Sequence, residues 1–318
     1  MKYRKWITMI CAAFMLCACT SKQPEKKKTN TISHTAKQKE KKNKSISQPA
    51  LNVEKIKSIP QPALNTEEVS AVVMDAESGK VYYAKNEQES RYPASTIKLL
   101  SALVAIEYYK DDDLLTTKNI MSLPDRVFAY TEPVHDGEQI PFKDVIRGML
   151  LKSSNEMALT LAENYQGGYD AFINAMNKKA KKLGCQKVEV SNPHGLSYAE
   201  KGWLKETCST KDMALIAKAF YKNNELRNII STPSYTFESN QYRTMQNVKM
   251  TQQASPYYDE RVIGGKTGFT NLAKRCLVTY SNVNNKTIIT VVFKENSREE
   301  TFTDTKKLLD YVNEVLAA

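Results

Sequence analysis

"YPASTIKLL", residues 92–100, sets Ser95 and Lys98 three positions apart, behind Pro93 and ahead of an apolar run. Residues three apart on a helix share a face, so a single turn brings the lysine amine to the serine hydroxyl. A serine hydroxyl is a poor nucleophile until a base takes its proton. A neutral lysine can be that base, provided burial or a neighbouring cation depresses its pKa. The first turn of a helix also favours developing negative charge. Alone the pattern is weak, because Ser-x-x-Lys arises by chance about once in a chain of this length. Its plain alternative is a helix start with a solvated lysine.

Around this stretch the chain reads as one α/β (α+β) domain. Ile97, Leu100, Leu103, Val104 and Ile106 recur at helical spacing. Upstream, "VSAVVMD", "AESG" and "KVYYAKN" read as strand, turn and strand, with Gly79 in the turn. Downstream, "FKDVIRGMLLK", "NEMALTLAENY", "DAFINAMNKKAKKLG" and "STKDMALIAKAFYKN" read as helices. Asp170 and Ser209 are the expected caps of the last two, and Gly184 ends the former. After about Phe237 the period changes. "RVIGGKT", "RCLVTYS" and "KTIITVVFK" read as strands and "TDTKKLLDYVNEVL" as a closing helix. Strands at both ends and helices between predict a mostly antiparallel sheet, helices on both sides and an inserted helical region.

The start of the chain is different. Residues 1–68 hold 14 of the 46 Lys and Arg and 5 of the 35 Asp and Glu, so they carry +9 of the net +11. The remainder of the chain is nearly neutral, which argues against a nucleic-acid binder; a basic tail solvates a linker or lies near anionic lipid. "MKYRK" is a cationic n-region and "WITMICAAFMLCAC" an apolar stretch of secretory-signal length. Its end, Leu16-Cys17-Ala18-Cys19, resembles the bacterial lipoprotein signal. That resemblance implies a signal peptide over 1–18 and a lipidated Cys19, and with it an exported protein on the outer face of the cytoplasmic membrane. An ordinary cleaved signal or an N-terminal anchor helix is the alternative. Residues 19–68, rich in Lys, Ser, Thr, Gln and Pro, read as a disordered tether. "QPALN" appears there twice, at 48–52 and 61–65, as a linker duplication. The catalytic domain is then 69–318. Cys185, Cys208 and Cys276 lack metal-ligand spacing and read as buried thiols.

Two further stretches carry polar groups where apolar runs break. In "LLKSSNEMA", Ser153-Ser154-Asn155 interrupts two helical runs. Ser153 offers a proton relay and Asn155 an amide for substrate; helix capping is the bland reading. In "GGKTGFT", residues 264–270, the glycines mark close backbone approach, to a bound ligand on this reading. Lys266 supplies a cation and Thr267 a hydroxyl for a carboxylate, against the alternative of a strand end with a turn.

Together, and in this order, the three stretches resemble the motif set of penicillin-binding proteins and class A β-lactamases. "GMLLKSSNEMALTLAE", "VSNPHGLS", "CSTKDMALIAKAF" and "GGKTGFTNLAKRCLV" extend the resemblance to serine-type D-alanyl-D-alanine carboxypeptidases, from about Val69 to Tyr311. It implies a β-lactamase/transpeptidase-like fold and an acyl-enzyme on Ser95, with Lys98 as general base. Ser153 and Asn155 would assist proton transfer and substrate placement. Lys266, Thr267 and Gly268 would hold the terminal carboxylate of a peptidoglycan stem peptide. The Ser95 and Phe269 N–H groups would form the oxyanion hole. β-Lactam antibiotics would acylate the same serine, and no metal or cofactor is required. His194 would shape a loop near the site.

Two departures stand out. Many relatives place an arginine before the phenylalanine that opens the last helix; here Thr301 precedes Phe302, and Arg275, rather than Arg298, is the expected substitute. Many relatives also add a C-terminal β-domain with a membrane helix, whereas this sequence runs to "DYVNEVLAA". A D,D-endopeptidase would use the same residues. A β-lactamase of class A would need a glutamate in an E-x-x-L-N context, which is not found. A non-catalytic lipoprotein that binds peptidoglycan or β-lactam would be expected to have lost one of the motifs.

Overall fold

The computed structural model describes residues 58–124, 134–238 and 243–318. The expected signal peptide over 1–18, Cys19 and the expected tether as far as residue 57 lie outside the described residues. In chain order the strands are β1 (Ser70–Asp75), β2 (Val81–Lys85), β3 (Leu114–Thr116), β4 (Gln139–Pro141), β5 (Ser234–Thr236), β6 (Arg243–Met245), β7 (Val262–Thr270), β8 (Lys274–Val283) and β9 (Lys286–Glu295). The helices are α1 (Lys98–Tyr108), α2 (Phe142–Arg147), α3 (Asn155–Asn164), α4 (Gly168–Lys182), α5 (Thr210–Lys222), α6 (Asn224–Ile230) and α7 (Arg298–Ala317).

Five strands form one sheet in the order β2-β1-β9-β8-β7, with every pairing antiparallel. The N- and C-terminal segments thus build one sheet around an insertion, as the sequence predicted. The central strands read as unbroken apolar runs because both faces are covered. Side chains alternate between two cores. Val72, Met74, Val278, Tyr280, Ile289, Val291 and Phe293 face the inserted helices, while Ala71, Val73, Leu277, Ile288 and Val292 face α7. On α7, Phe302, Leu308, Leu309, Val312 and Val315 are buried. Each contributes roughly 1.5–3 kcal/mol by leaving water. A capping box starts that helix: Ser297 Oγ accepts from Glu300 N, and the Glu300 carboxylate accepts from Ser297 N.

Three details differ from the sequence reading. The packed domain begins before Val69. Leu64 is buried, the Asn65 N–H donates to Asp304 Oδ2 at 2.8 Å, and Lys307 Nζ donates to Ala63 O at 3.3 Å. The leucine of the second "QPALN" copy gives that stretch a place against α7. Asp170 is not a cap. Gly167, at φ +90°, holds the cap position of α4, and Asp170 lies in the first turn, where its charge suits the helix dipole. "FKDVIRGMLLK" is not one regular helix either: α2 passes into a wider π-turn over Gly148–Lys152, which ends at Ser153. Ser209 caps α5 as expected, accepting from Asp212 N.

Candidate active site

Three segments meet at the mouth of the sheet. Pro93 leads into a 3-10 turn, Ala94–Ile97, which hands over to α1 at Lys98. The Ser153-Ser154-Asn155 junction joins the π-turn to α3, with Ser154 Oγ accepting from Met157 N as the cap. β7 is an edge strand and brings Lys266, Thr267 and Gly268 alongside. Gly268 permits the approach: a Cβ there would lie 3.1 Å from Pro93 O and 3.2 Å from Ser95 N. The other two glycines of the motif do not face the cleft. A Cβ on Gly264 would lie 2.6 Å from Ile230 O, and one on Gly265 would strike Val278 O, so they admit protein backbone and not a ligand.

Lys98 Nζ lies 2.9 Å from Ser95 Oγ and donates to Asn155 Oδ1 at 2.8 Å and to His194 O at 2.9 Å. Complete burial pushes the Lys98 amine far below its usual range, and the nearby Lys266 charge pushes the same way against Glu156. Lys266 Nζ donates to Ser153 Oγ at 2.7 Å and to Thr267 O at 2.9 Å; burial lowers its pKa to about 7. The cluster thus favours an uncharged Lys98 amine beside the serine hydroxyl.

Backbone strain gathers here. Ala94, next to Ser95, has φ +47°, and Ser153 has φ +68°. Left-handed geometry in such residues costs energy that the surrounding fold must supply.

A cleft of about 240 Å³ opens over these groups, lined among others by Ser95, Ser153, Asn155, Thr267, Phe269 and Asn247. It runs into a polar groove of about 640 Å³ lined by Phe269, Asn271, Lys274, Arg275, Arg298 and Glu299. Arg275 stands at the head of β8, opposite Phe269, with its guanidinium 3.8 Å from the centre of that ring. Arg298 and Thr301 also line the cleft. Both arginines are therefore brought to its edge, and burial together with Arg298 lowers the Arg275 pKa.

One contributor escaped the sequence reading, and another, expected only to shape a nearby loop, touches the site through its backbone. Asn247 Oδ1 accepts from Thr267 Oγ1 at 3.3 Å, and no local pattern marks it. His194 meets the site through its backbone carbonyl, while its imidazole is buried, pushed down in pKa by that burial, and set edge-on to Trp203.

Residues 55–297 match the D-alanyl-D-alanine carboxypeptidase family. The chain belongs to that family. It is 31% identical over 247 residues to D-alanyl-D-alanine carboxypeptidase DacF of Bacillus subtilis, covering 76% of this chain and 61% of the relative. It thus spans about three-fifths of that relative's length. It is 30% identical over 251 residues to the D-alanyl-D-alanine endopeptidase of Escherichia coli, covering 76% of each. The crystal structure of a D-alanyl-D-alanine carboxypeptidase from Mycobacterium tuberculosis superposes with a TM-score of 0.70 at 26% identity, over 80% of this chain and 93% of that one. A penicillin-binding protein of Listeria monocytogenes in its ampicillin-bound form shares the fold, with a TM-score of 0.68 at 24% identity over 79% and 99% of the two chains. Among the described residues no helix is long and apolar enough to cross a membrane.

Proposed function

We propose that this member of the carboxypeptidase family removes the terminal D-alanine from peptidoglycan stem peptides through an acyl-enzyme on Ser95. The observation that carries the reading is the Lys98 amine, buried, pushed toward its neutral form and 2.9 Å from Ser95 Oγ. Lys98 takes the Oγ proton as the oxygen attacks the carbonyl carbon between the two D-alanines. The charge that develops on the carbonyl oxygen falls to the Ser95 and Phe269 N–H groups. The C–N bond breaks, the departing nitrogen takes a proton by way of Lys98 and Ser153, and D-alanine leaves. Water then cleaves the ester and restores Ser95. Asn155 holds the Lys98 amine and faces the substrate amide. Lys266 and Thr267 receive the terminal carboxylate beside Gly268, with Arg275 as the supporting cation. β-Lactams enter the same cycle and stop at the acyl-enzyme.

A D,D-endopeptidase is the second reading. It is favoured by the open groove beyond Phe269 and by the likeness to the Escherichia coli endopeptidase. Incubation with a stem pentapeptide and with a cross-linked dimer separates the two. Release of free D-alanine supports the first, and dimer cleavage without it supports the second. Loss of neither activity in Ser95→Ala would sink both.

On this reading the protein works outside the cytoplasmic membrane, held by lipid on Cys19, with the residues between Cys19 and the domain as a tether.

A further inference from the structure

We propose that Glu206 is a positioning residue for the base: its buried carboxylate holds the 191–195 turn so that the His194 carbonyl stands fixed against the Lys98 amine. The inference rests on Ser95 and Lys98 acting as nucleophile and base.

The route can be followed bond by bond. Glu206 has no exposed surface. Its Oε1 accepts from Ser191 N at 2.8 Å, Ser191 Oγ at 2.7 Å, Asn192 N at 2.9 Å and Asn192 Nδ2 at 2.7 Å. The neighbouring backbone is pinned by the paired bonds between Glu189 and Thr207, at 3.0 and 2.9 Å. Asn192 carries the grip onward: its Oδ1 accepts from His194 N at 3.2 Å and Gly195 N at 2.7 Å. The next carbonyl, that of His194, receives Lys98 Nζ at 2.9 Å and Ser95 Oγ at 3.4 Å.

A neutral amine has two N–H bonds and one lone pair. To take the serine proton, the lone pair must face Ser95 Oγ. Asn155 Oδ1 and His194 O together accept both N–H bonds, which leaves the third direction for Ser95. If either acceptor moves, the amine rotates about its Cε–Nζ bond and the lone pair is no longer aimed. Asn155 acts through a side chain; the His194 carbonyl is backbone, and its place depends on whatever holds the turn. Apolar packing would fill the Glu206 site at lower cost. Burial raises the Glu206 pKa to about 7, and its Oε2 is buried without a partner. Directional hydrogen bonds to two successive residues are what a carboxylate offers and a leucine does not.

The test is the rate constant for acylation by a fluorescent penicillin, with kcat and KM for a D-Ala-D-Ala peptide. Glu206→Ala is expected to lower both acylation and kcat by roughly tenfold or more, a part of what a general base supplies, with KM little changed. Glu206→Gln keeps an acceptor oxygen for the same four donors and is expected to recover most of the rate. Asn192→Ala should show the same defect, and the double variant should be no slower than the slower single one, because both cut one route. Folded Glu206→Ala with wild-type acylation overturns the inference, as do defects that multiply or a loss confined to KM. If Glu206→Ala does not fold, Glu206→Asp, one methylene shorter, takes its place: a slower folded protein supports the inference and an unchanged one overturns it. Wild-type protein that takes no label overturns the nucleophile reading itself. A labelled wild type with unaffected variants overturns only the role of Glu206.

Discussion

Gly195→Ala should disable the site although it alters none of the proposed catalytic side chains. Gly195 has φ +80°, and a Cβ there would collide with Ala94 O, lie 2.5 Å from Ala94 C and reach Ile97 Cγ2 at 3.0 Å. Carbon atoms in contact prefer about 3.5 Å, so the two backbones must part by ~1 Å. The Ala94 side has little room to retreat, since Ala94 is fully buried and Gly268 lies close behind it. Either Ser95 shifts with Ala94, or the 191–197 loop lifts and takes the His194 carbonyl off Lys98. A misplacement of about 1 Å costs roughly 100-fold in rate, or ~2.7 kcal/mol in the barrier. The left-handed backbone adds about 1–2 kcal/mol of lost stability for a residue with a Cβ. The assay is the time course of labelling by fluorescent penicillin, with thermal unfolding as the companion measurement. A folded Gly195→Ala protein that acylates at the wild-type rate would refute the reasoning, because the collision would then have been absorbed without cost to the site.

Acylation should rise with pH as Lys98 gives up its proton. Below about pH 7 the Lys266 charge adds to burial in depressing Lys98, so Lys266→Met should move the acid limb of the pH–rate profile to higher pH; an unmoved limb would separate the two lysines. Lys266 has a native pKa of about 7 against an ordinary 10.5, so between those values the unfolded chain holds a proton that the native state lacks. Stability in denaturant melts should therefore climb with pH across that window, and a flat profile would count against a neutral buried Lys266. Arg275→Ala should lower kcat/KM for the peptide by roughly 1.5–3 kcal/mol for a charge-assisted bond, and penicillin acylation less; a loss seen only in Arg298→Ala would assign the carboxylate to that residue. Removal of residues 1–57 should leave Tm unchanged. Removal of 1–66 strips Leu64 and the bond to Asp304, for a loss of roughly 3 kcal/mol or ~6–12 °C in Tm; equal Tm values for the two truncations would show that the clasp is idle.

The sequence disclosed what local pattern encodes. Alternation and runs of Val and Ile marked β1, β8 and β9, and Ser209 marked its own helix start. Ser95, Lys98, Ser153, Asn155 and Lys266 were legible because their three short motifs, each weak alone, together resemble the set of a known family, and the structure gathers all of them around one cleft. Contacts made across long separations left no such trace. Asn247 reaches Thr267 from a loop with no motif, and Glu206 lies far along the chain from the lysine it serves through two intermediaries. Gly264 and Gly265 were read as open to a ligand because a strand pattern does not say which backbone will approach it. Residues 58–68 looked like tether because their composition is polar, yet Leu64 and two backbone bonds suffice to settle them once α7 is present.

The position of β1 has a mechanical consequence. The chain enters the domain through the clasped segment after Ser58 and runs directly into β1, which pairs with β9 on one side and β2 on the other. A pull on the chain ahead of Ser58 is therefore delivered along the axis of a strand held on both sides. Its ladders must slide as a whole, since the hydrogen bonds lie across the direction of pull and cannot be opened one at a time. The clasp of Leu64 and Asn65 on α7 is the first set of contacts that such a pull meets. The serine turn is tied to the same end of β1, where Arg91 Nε donates to Ser70 Oγ at 3.1 Å and Arg91 Nη2 donates to Glu68 O at 2.9 Å, so a load on the N-terminal side reaches that turn through one side chain as well as through the β1–β2 hairpin.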